Sequence, residues 1–324
     1  MEFPRVSQRP PGQAAGDGIH AALDDLVRLR FKAQGFSFLP RQPVHSVLAG
    51  RHASRLRGRG LNFEELRAYL PGDDIRTIDW KVTARTREPH VRVYTEERDR
   101  AVWLLVDQRM SMFFGSRVRM KSVTAAEATA LSAWRVLAAG DRVGGVVFGD
   151  EGHDIVTPHR SEDRVMQLLG RVVARGGVLS AGTGPAPNAR ALNEALATVE
   201  QHAKHDCLVV LITDGFGADE ETRRRVGRLA QHNDVLTVFV FDPMERDLGD
   251  HGRLVFSEGG AQLEADTGSR RLREAFATAF DERVDVMRRV SRRYEMPWLP
   301  VQTTHGVAEQ VRELLGHHQP APRR

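Results

Sequence analysis

A chain of 324 residues, 41% hydrophobic and 28% charged, carries enough apolar material for one or two folded domains, which excludes a collagenous or wholly disordered polypeptide. Forty-seven basic residues against 43 acidic ones leave a formal charge of +4, too small an excess to name a polyanionic partner, and only Lys32, Lys81, Lys121 and Lys204 of the basic set are lysines. The single cysteine, Cys207, excludes an intrachain disulfide and a cysteine-based zinc site. No stretch approaches the roughly 18 consecutive apolar residues that span a bilayer, so a soluble cytoplasmic chain is expected.

Residues 1–18 are rich in proline and glycine and poor in large apolar groups, and are expected to form a flexible tail. Leu23, Leu26 and Val27 then mark a short amphipathic helix within Ile19 to Phe31. The string RHASRLRGR at 51–59 is the most basic patch and, with Gly58 and Gly60, reads as a loop. Binding to single-stranded nucleic acid calls for interleaved aromatic rings, and none occurs before Phe63, so nucleic acid is not an expected partner. Next comes LPGDDIRTIDWKVTAR. Pro71 and Gly72 specify a turn, Asp73 or Asp74 can cap the segment after it, and Ile75, Ile78 and Val82 mark one face of a short helix. Asp73, Asp74, Arg76, Asp79 and Arg85 surround Trp80 and read as a lattice of structural ion pairs, because no activated nucleophile accompanies them.

From residue 90 the period changes. Val102–Val106, Val143–Phe148, Leu208–Ile212 and Val235–Phe241 are apolar at nearly every position, as strands covered on both faces must be. Helical patterns lie between and after them, at 123–139, 165–173, 192–199 and 223–231. A charged helix at 270–293, a late strand at 298–303 and a closing helix at 307–315 come last. Alternating strands and helices predict an α/β fold with an open, mostly parallel sheet and helices on both faces.

In such a sheet ligands gather where strands end. Two strands here end in aspartate: Asp107, with Ser111 four residues on, and Asp214, preceded by Thr213 and followed by Gly215. Carboxylate and hydroxyl oxygens brought together there are hard ligands of the kind that hold Mg²⁺. No catalytic residue is assigned, since no triad, phosphate-binding loop or zinc motif is present.

The order of these pieces resembles a von Willebrand factor A-type domain. With the segments GRGLNFEELRAYLPGDDIRTIDWKVTAR, VRVYTEERD, DQRMSMFFG, KSVTAAEATAL and GDRVGGVVFGD, the chain is similar to the bacterial domain-of-unknown-function 58 family over about residues 45–250. The resemblance implies a tail at 1–18, a family-specific segment at 19–98 and an A-like domain with carboxyl-terminal helices at 99–318, before a last tail at 319–324. It further implies partnership with MoxR-type AAA+ ATPases and membrane-anchored von Willebrand factor A-type proteins. It implies no known activity; taken with the absence of a triad, phosphate-binding loop or zinc motif, the expected function is that of a non-enzymatic adaptor that binds protein partners at the strand-end face in assembly or maturation of a protein complex. In the A-type metal site, Asp-x-Ser-x-Ser follows the first strand, a Thr comes from a later loop, and an Asp ends the fourth strand. Asp107, Ser111 and Asp214 match that pattern, the first Ser is replaced by Arg109, and the Thr position falls on Thr183 or, by spacing, on Arg190.

A guanidinium about 5 Å from Mg²⁺ at an effective dielectric of ~20 is repelled by roughly 6 to 7 kcal/mol. The expectation is therefore a degenerate site in which Arg109 pairs with Asp107 or Asp214 in place of a metal, and in which Arg109, Arg190 and Asp214 meet a partner. Two rival readings remain: a Mg²⁺-dependent phosphohydrolase with Asp107 as nucleophile, and nucleic-acid binding through the arginine loop.

Overall fold

The computed structural model describes residues 18–33, 61–71, 73, 75–96, 99–182, 186–258 and 261–316. The expected amino-terminal tail apart from Gly18, the arginine loop, residues 319–324, Gly72, Asp74 and Thr183 lie outside the described residues. The chain divides into two compact units, residues 41–99 and residues 1–40 together with 100–324. The first helix, α1 (Leu23–Arg28), continues into a 3₁₀ turn at Leu29–Phe31. It belongs to the larger unit, where Leu26 is buried and its carbonyl accepts a hydrogen bond from Trp134 Nε1 at 3.1 Å.

In the smaller unit β1 (Leu61–Ala68) is crossed by a bulge between Phe63 and Glu65, and a turn at Pro71 comes after it. Asp73 organises that turn: its carboxylate accepts from Leu70 N at 2.8 Å and from both ends of the Arg67 guanidinium at 2.8 Å each. The expected helical face through Ile75, Ile78 and Val82 is corrected. Ile75–Thr77 is a single 3₁₀ turn, and Ile78 is extended and bridges to Val91. Helix α2 (Trp80–Thr86) begins only after Asp79, whose Oδ1 accepts from Lys81 N at 3.0 Å and Val82 N at 3.1 Å. Asp79 is thus the cap of α2, because its side chain reaches two orphan amides of the first turn. Arg87, at φ 65°, ends the helix in the left-handed region, and β2 (His90–Glu96) returns antiparallel to β1.

The larger unit runs β3 (Ala101–Asp107), α3 (Lys121–Ala138), β4 (Arg142–Gly149), β5 (Gly152–His159), α4 (Glu162–Gly176), α5 (Ala191–His202), β6 (Leu208–Thr213), α6 (Glu220–His232) and β7 (Asp234–Phe241). A one-turn α7 (Pro243–Arg246), the hairpin of β8 (Arg253–Glu258) and β9 (Ala261–Asp266), α8 (Arg270–Arg293), β10 (Trp298–Gln302) and α9 (Val307–Gly316) complete it. Six strands form one sheet in the order β10, β7, β6, β3, β4, β5, parallel throughout except for β5, which pairs antiparallel with β4 at the edge. This is the open, mostly parallel α/β sheet that the apolar runs predict.

Period-two alternation sends the two halves of each strand to different layers. Val102, Leu104 and Val106 of β3 pack in a cluster with residues of α1, α3, α4 and α9; Trp103 and Leu105 pack with α5, α6 and α8. Each such fully buried side chain contributes roughly 1.5 to 3 kcal/mol. Gly144 and Gly145 of β4 are steric requirements, since a Cβ on Gly145 would lie 2.2 Å from the Leu104 carbonyl oxygen and one on Gly144 2.3 Å from that of Val156.

After β3 the chain builds outward through β4 and β5, then crosses to the other side of β3 and builds β6, β7 and β10. The sheet therefore reverses direction between β3 and β6, and the crevice at their carboxyl ends is where a fold of this kind places its site.

Candidate functional site

Asp107 and Asp214 stand on the two sides of that crevice, both fully buried, and Ser111 joins them on the 3₁₀ turn Met110–Met112. Ser111 Oγ donates to Asp214 Oδ1 at 3.4 Å. The three residues expected to converge do so. Around them, however, protein cations already sit. Asp107 Oδ1 accepts from Arg109 N at 3.1 Å and Arg109 Nε at 2.9 Å, and Oδ2 accepts from Arg109 Nη2 at 2.7 Å and Thr213 Oγ1 at 2.6 Å. The guanidinium lies between the rings of Phe148 and Phe216, 5.2 and 5.5 Å from their centroids, and reaches to 3.9 Å from Asp214 Oδ1.

A second cation completes Asp214. Lys121 Nζ donates to Asp214 Oδ2 at 2.7 Å and to Glu245 Oε1 at 2.8 Å, while Phe216 N donates to Asp214 Oδ1 at 2.9 Å. Glu245 Oε1 also accepts from Arg283 Nη2 at 2.7 Å. Charge thus alternates along one continuous relay: Asp107, Arg109, Asp214, Lys121, Glu245, Arg283. It runs from the end of β3 through the amino terminus of α3 and through α7 to α8, and only the Arg283 end, with 21% of its side chain accessible, approaches the surface.

The electrostatics arise from burial set against close opposite charge. Burial by itself would raise the Asp214 carboxyl, but Lys121, Arg283 and Arg109 outweigh it and hold the group well below the usual carboxylate range. Burial would likewise lower Lys121, and Asp214 with Glu245 reverse that and push the ammonium above its ordinary value. Arg109 is raised in the same manner, Asp107 overcoming the effect of burial. Asp150 behaves differently. Burial dominates and raises it, although its oxygens accept from Met110 N at 2.6 Å and Asn188 N at 2.7 Å and so tie two site loops to the turn after β4.

Three expectations are corrected. Arg190 does not enter the crevice: it is exposed at the start of α5, and Asn188, whose carbonyl accepts from Arg109 Nη1 at 3.3 Å, is the residue of that loop that reaches the site. Arg109 and Asp214 do not face a partner, because neither has accessible surface and each is spent on internal pairs. Asp107 is not poised as a nucleophile, since both of its oxygens are held by donors in a fully buried position. Sequence reasoning missed Lys121, Glu245 and Arg283. One signal could have found Lys121. It opens a helix with no acid in its first turn, and a cation at the positive end of a helix needs carboxylates from elsewhere.

The residues do not fit Mg²⁺. Every oxygen of Asp107 and Asp214 accepts from a protein donor, and a guanidinium and an ammonium stand within hydrogen-bonding distance of those carboxylates. Among the described residues no group of three or more His, Cys, Asp or Glu is arranged to hold a metal.

The strand order, the switch point and the aspartates at its two strand ends define a von Willebrand factor A-like α/β domain. The chain belongs to the family described as "Protein of unknown function DUF58", which matches residues 65–285. It is 29% identical over 321 residues, 96% of each chain, to Uncharacterized protein Rv1480 of Mycobacterium tuberculosis (strain ATCC 25618 / H37Rv). Among solved structures it is similar to the conserved hypothetical protein BatB from Bacteroides thetaiotaomicron, at 13% identity and a TM-score of 0.42 over 68% of this chain and 98% of that one. It is also similar to the SpRpn10 VWA domain, at 11% identity and a TM-score of 0.38 over 67% and 95%. No helix among the described residues is long and apolar enough to cross a membrane.

Proposed function

We propose that this chain is a cytoplasmic, non-enzymatic adaptor that docks protein partners on its strand-end face. Its partners are a MoxR-type AAA+ ATPase and membrane-anchored von Willebrand factor A-type proteins, and its task is assembly or maturation of a protein complex. The observation that carries the reading is a groove of about 750 Å³ on that face, lined by Ser116, Arg117, Pro243, Met244, Asp247 and His305 among others. These residues lie on the connections that come after β3, β7 and β10, three parallel strands, with Pro243 and Met244 in α7, so all open on the same end of the sheet as Asp107 and Asp214. Its walls are anchored from within. Asp242 caps α7 through Met244 N at 2.9 Å, accepts from Ser116 N at 2.9 Å and binds the Thr303 hydroxyl.

The neighbouring carboxylates serve to hold these loops, and the groove supplies the exposed apolar and charged surface that a protein partner requires. The test uses the purified full chain, tagged, with the MoxR-type ATPase of the same organism, in the presence and absence of ATP. Retention of the ATPase by the wild type, weakened at least tenfold by Arg117→Glu or Met244→Asp, is the expected result. No retention, or retention that both variants leave unchanged, would refute the reading.

A further inference from the structure

We infer that Lys121 is the resident cation of the strand-end centre: its ammonium occupies, between Asp214 and Glu245, the place a divalent ion would take, and the relay it completes makes the centre independent of metal. The argument begins with where the lysine lies. Lys121 is 1% exposed and is the first residue of α3, where the helix presents its positive end. Neither burial nor the helix dipole favours a cation there. What favours it is a bay of two carboxylates at 2.7 and 2.8 Å.

Charge balance gives the second step. Asp107, Asp214 and Glu245 are matched by Arg109, Lys121 and Arg283, so the relay is neutral as built and an added Mg²⁺ or Mn²⁺ would leave it with two uncompensated positive charges. The third step is what remains when the ammonium is removed. Asp107, Asp214 and Glu245 then face only Arg109 and Arg283, so the relay carries one net negative charge, and the space the ammonium filled is bordered by carboxylate oxygens of Asp214 and Glu245, the donors that hard divalent ions prefer. Nothing in this depends on the identity of a docking partner, so it can fail or succeed independently of the adaptor reading.

The test is titration of the full chain with Mn²⁺, monitored by the free-ion electron paramagnetic resonance signal and by the thermal unfolding midpoint. The wild type is expected to leave millimolar Mn²⁺ free and to unfold at one temperature in Mn²⁺ and in chelator. Lys121→Ala is expected to unfold several degrees lower in chelator and to regain much of that loss while taking up one equivalent of Mn²⁺. Adding Asp214→Asn to Lys121→Ala removes the carboxylate that lost its ammonium and restores the relay to neutrality, so the double variant should be more stable than the single one in chelator and indifferent to Mn²⁺. One-to-one Mn²⁺ uptake by the wild type, abolished by Asp214→Asn, would overturn the inference. So would a double variant no more stable than Lys121→Ala, a comparison that stands even if the single variant is too unstable to purify.

Discussion

Two regions of this chain are dense in opposite charges, and they put them to different uses. In residues 66–88 the pairs are local and lie near water: Arg67 meets Asp73 six residues away, with 37% and 21% of their side chains accessible, and Asp79 caps the helix directly after it. At the switch point the pairs are remote and dry. Lys121 meets acids 93 and 124 residues away, and Arg283 meets Glu245 across 38. The first arrangement shapes a turn. The second ties β3, β6, α3, α7 and α8 into one end of the sheet, and its members depend on one another because a charge taken out of water is tolerated only while its partner is present.

The sharpest way to break this comparison is to delete one cation from the dry set. Lys121→Ala leaves Asp214 and Glu245 buried beside each other, and should cost about 3 to 5 kcal/mol in urea unfolding. If it costs no more than an exposed pair does, the relay is not a unit. Next in size is Thr213→Val, which removes the hydroxyl from Asp107 without changing its charge pairs. Hydrogen bonds to charged groups contribute roughly 1.5 to 3 kcal/mol, and a loss in that range is expected from the same measurement.

Proton linkage sharpens the contrast further. Asp214 is held below its unfolded value, so its contribution to stability is present above the ordinary carboxylate pKa of about 3.9 and is lost as pH falls through its depressed folded value. Lys121 is raised, so its contribution is complete below about 10.4 and is lost as pH rises through the folded value. Unfolding curves from pH 5 down to pH 2 should therefore show a loss of stability that Asp214→Asn reduces. An identical slope in wild type and variant would show that the carboxylate is not held by its neighbours.

Legibility in the sequence divides along the same line. Apolar runs such as Val102–Val106 are a local signal of a doubly covered strand, and the aspartates at their ends mark the switch point directly. Asp107, Arg109, Ser111 and Asp214 are therefore legible in the sequence. Glu245 and Arg283 are not, because they sit in a one-turn helix and a long charged helix where nothing local distinguishes them from solvent-facing residues. The hairpin of β8 and β9 escapes sequence reasoning for a related reason. Its strands are largely exposed and lack an apolar run, Val255 and Leu263 being 62% and 67% accessible. In the smaller unit the signals are local but ambiguous: Asp73 and Asp79 both precede helix-forming residues, and which one caps is decided by the bridge of Ile78 to Val91, a pairing across the chain.

That ambiguity gives a smaller test. Asp79→Ala removes the acceptor of two amides at the start of α2 and should destabilise the protein by about 1 kcal/mol.

The smallest effect belongs to Arg67→Ala. A guanidinium with over a third of its side chain in water gains little net Coulomb energy and is screened by salt, so a cost of about 1 kcal/mol or less is expected. Ionic strength then separates the two regions in one experiment. With a Debye length of about 8 Å at physiological salt and 3 Å at 1 M, the cost of Arg67→Ala should shrink further in 1 M NaCl. The cost of Lys121→Ala should hardly change, because mobile ions do not enter a bay with no accessible surface on Asp214 and almost none on Lys121. Equal salt sensitivity of the two variants would mean that the switch point is wet, and that its six charges act as separate surface pairs rather than as one relay.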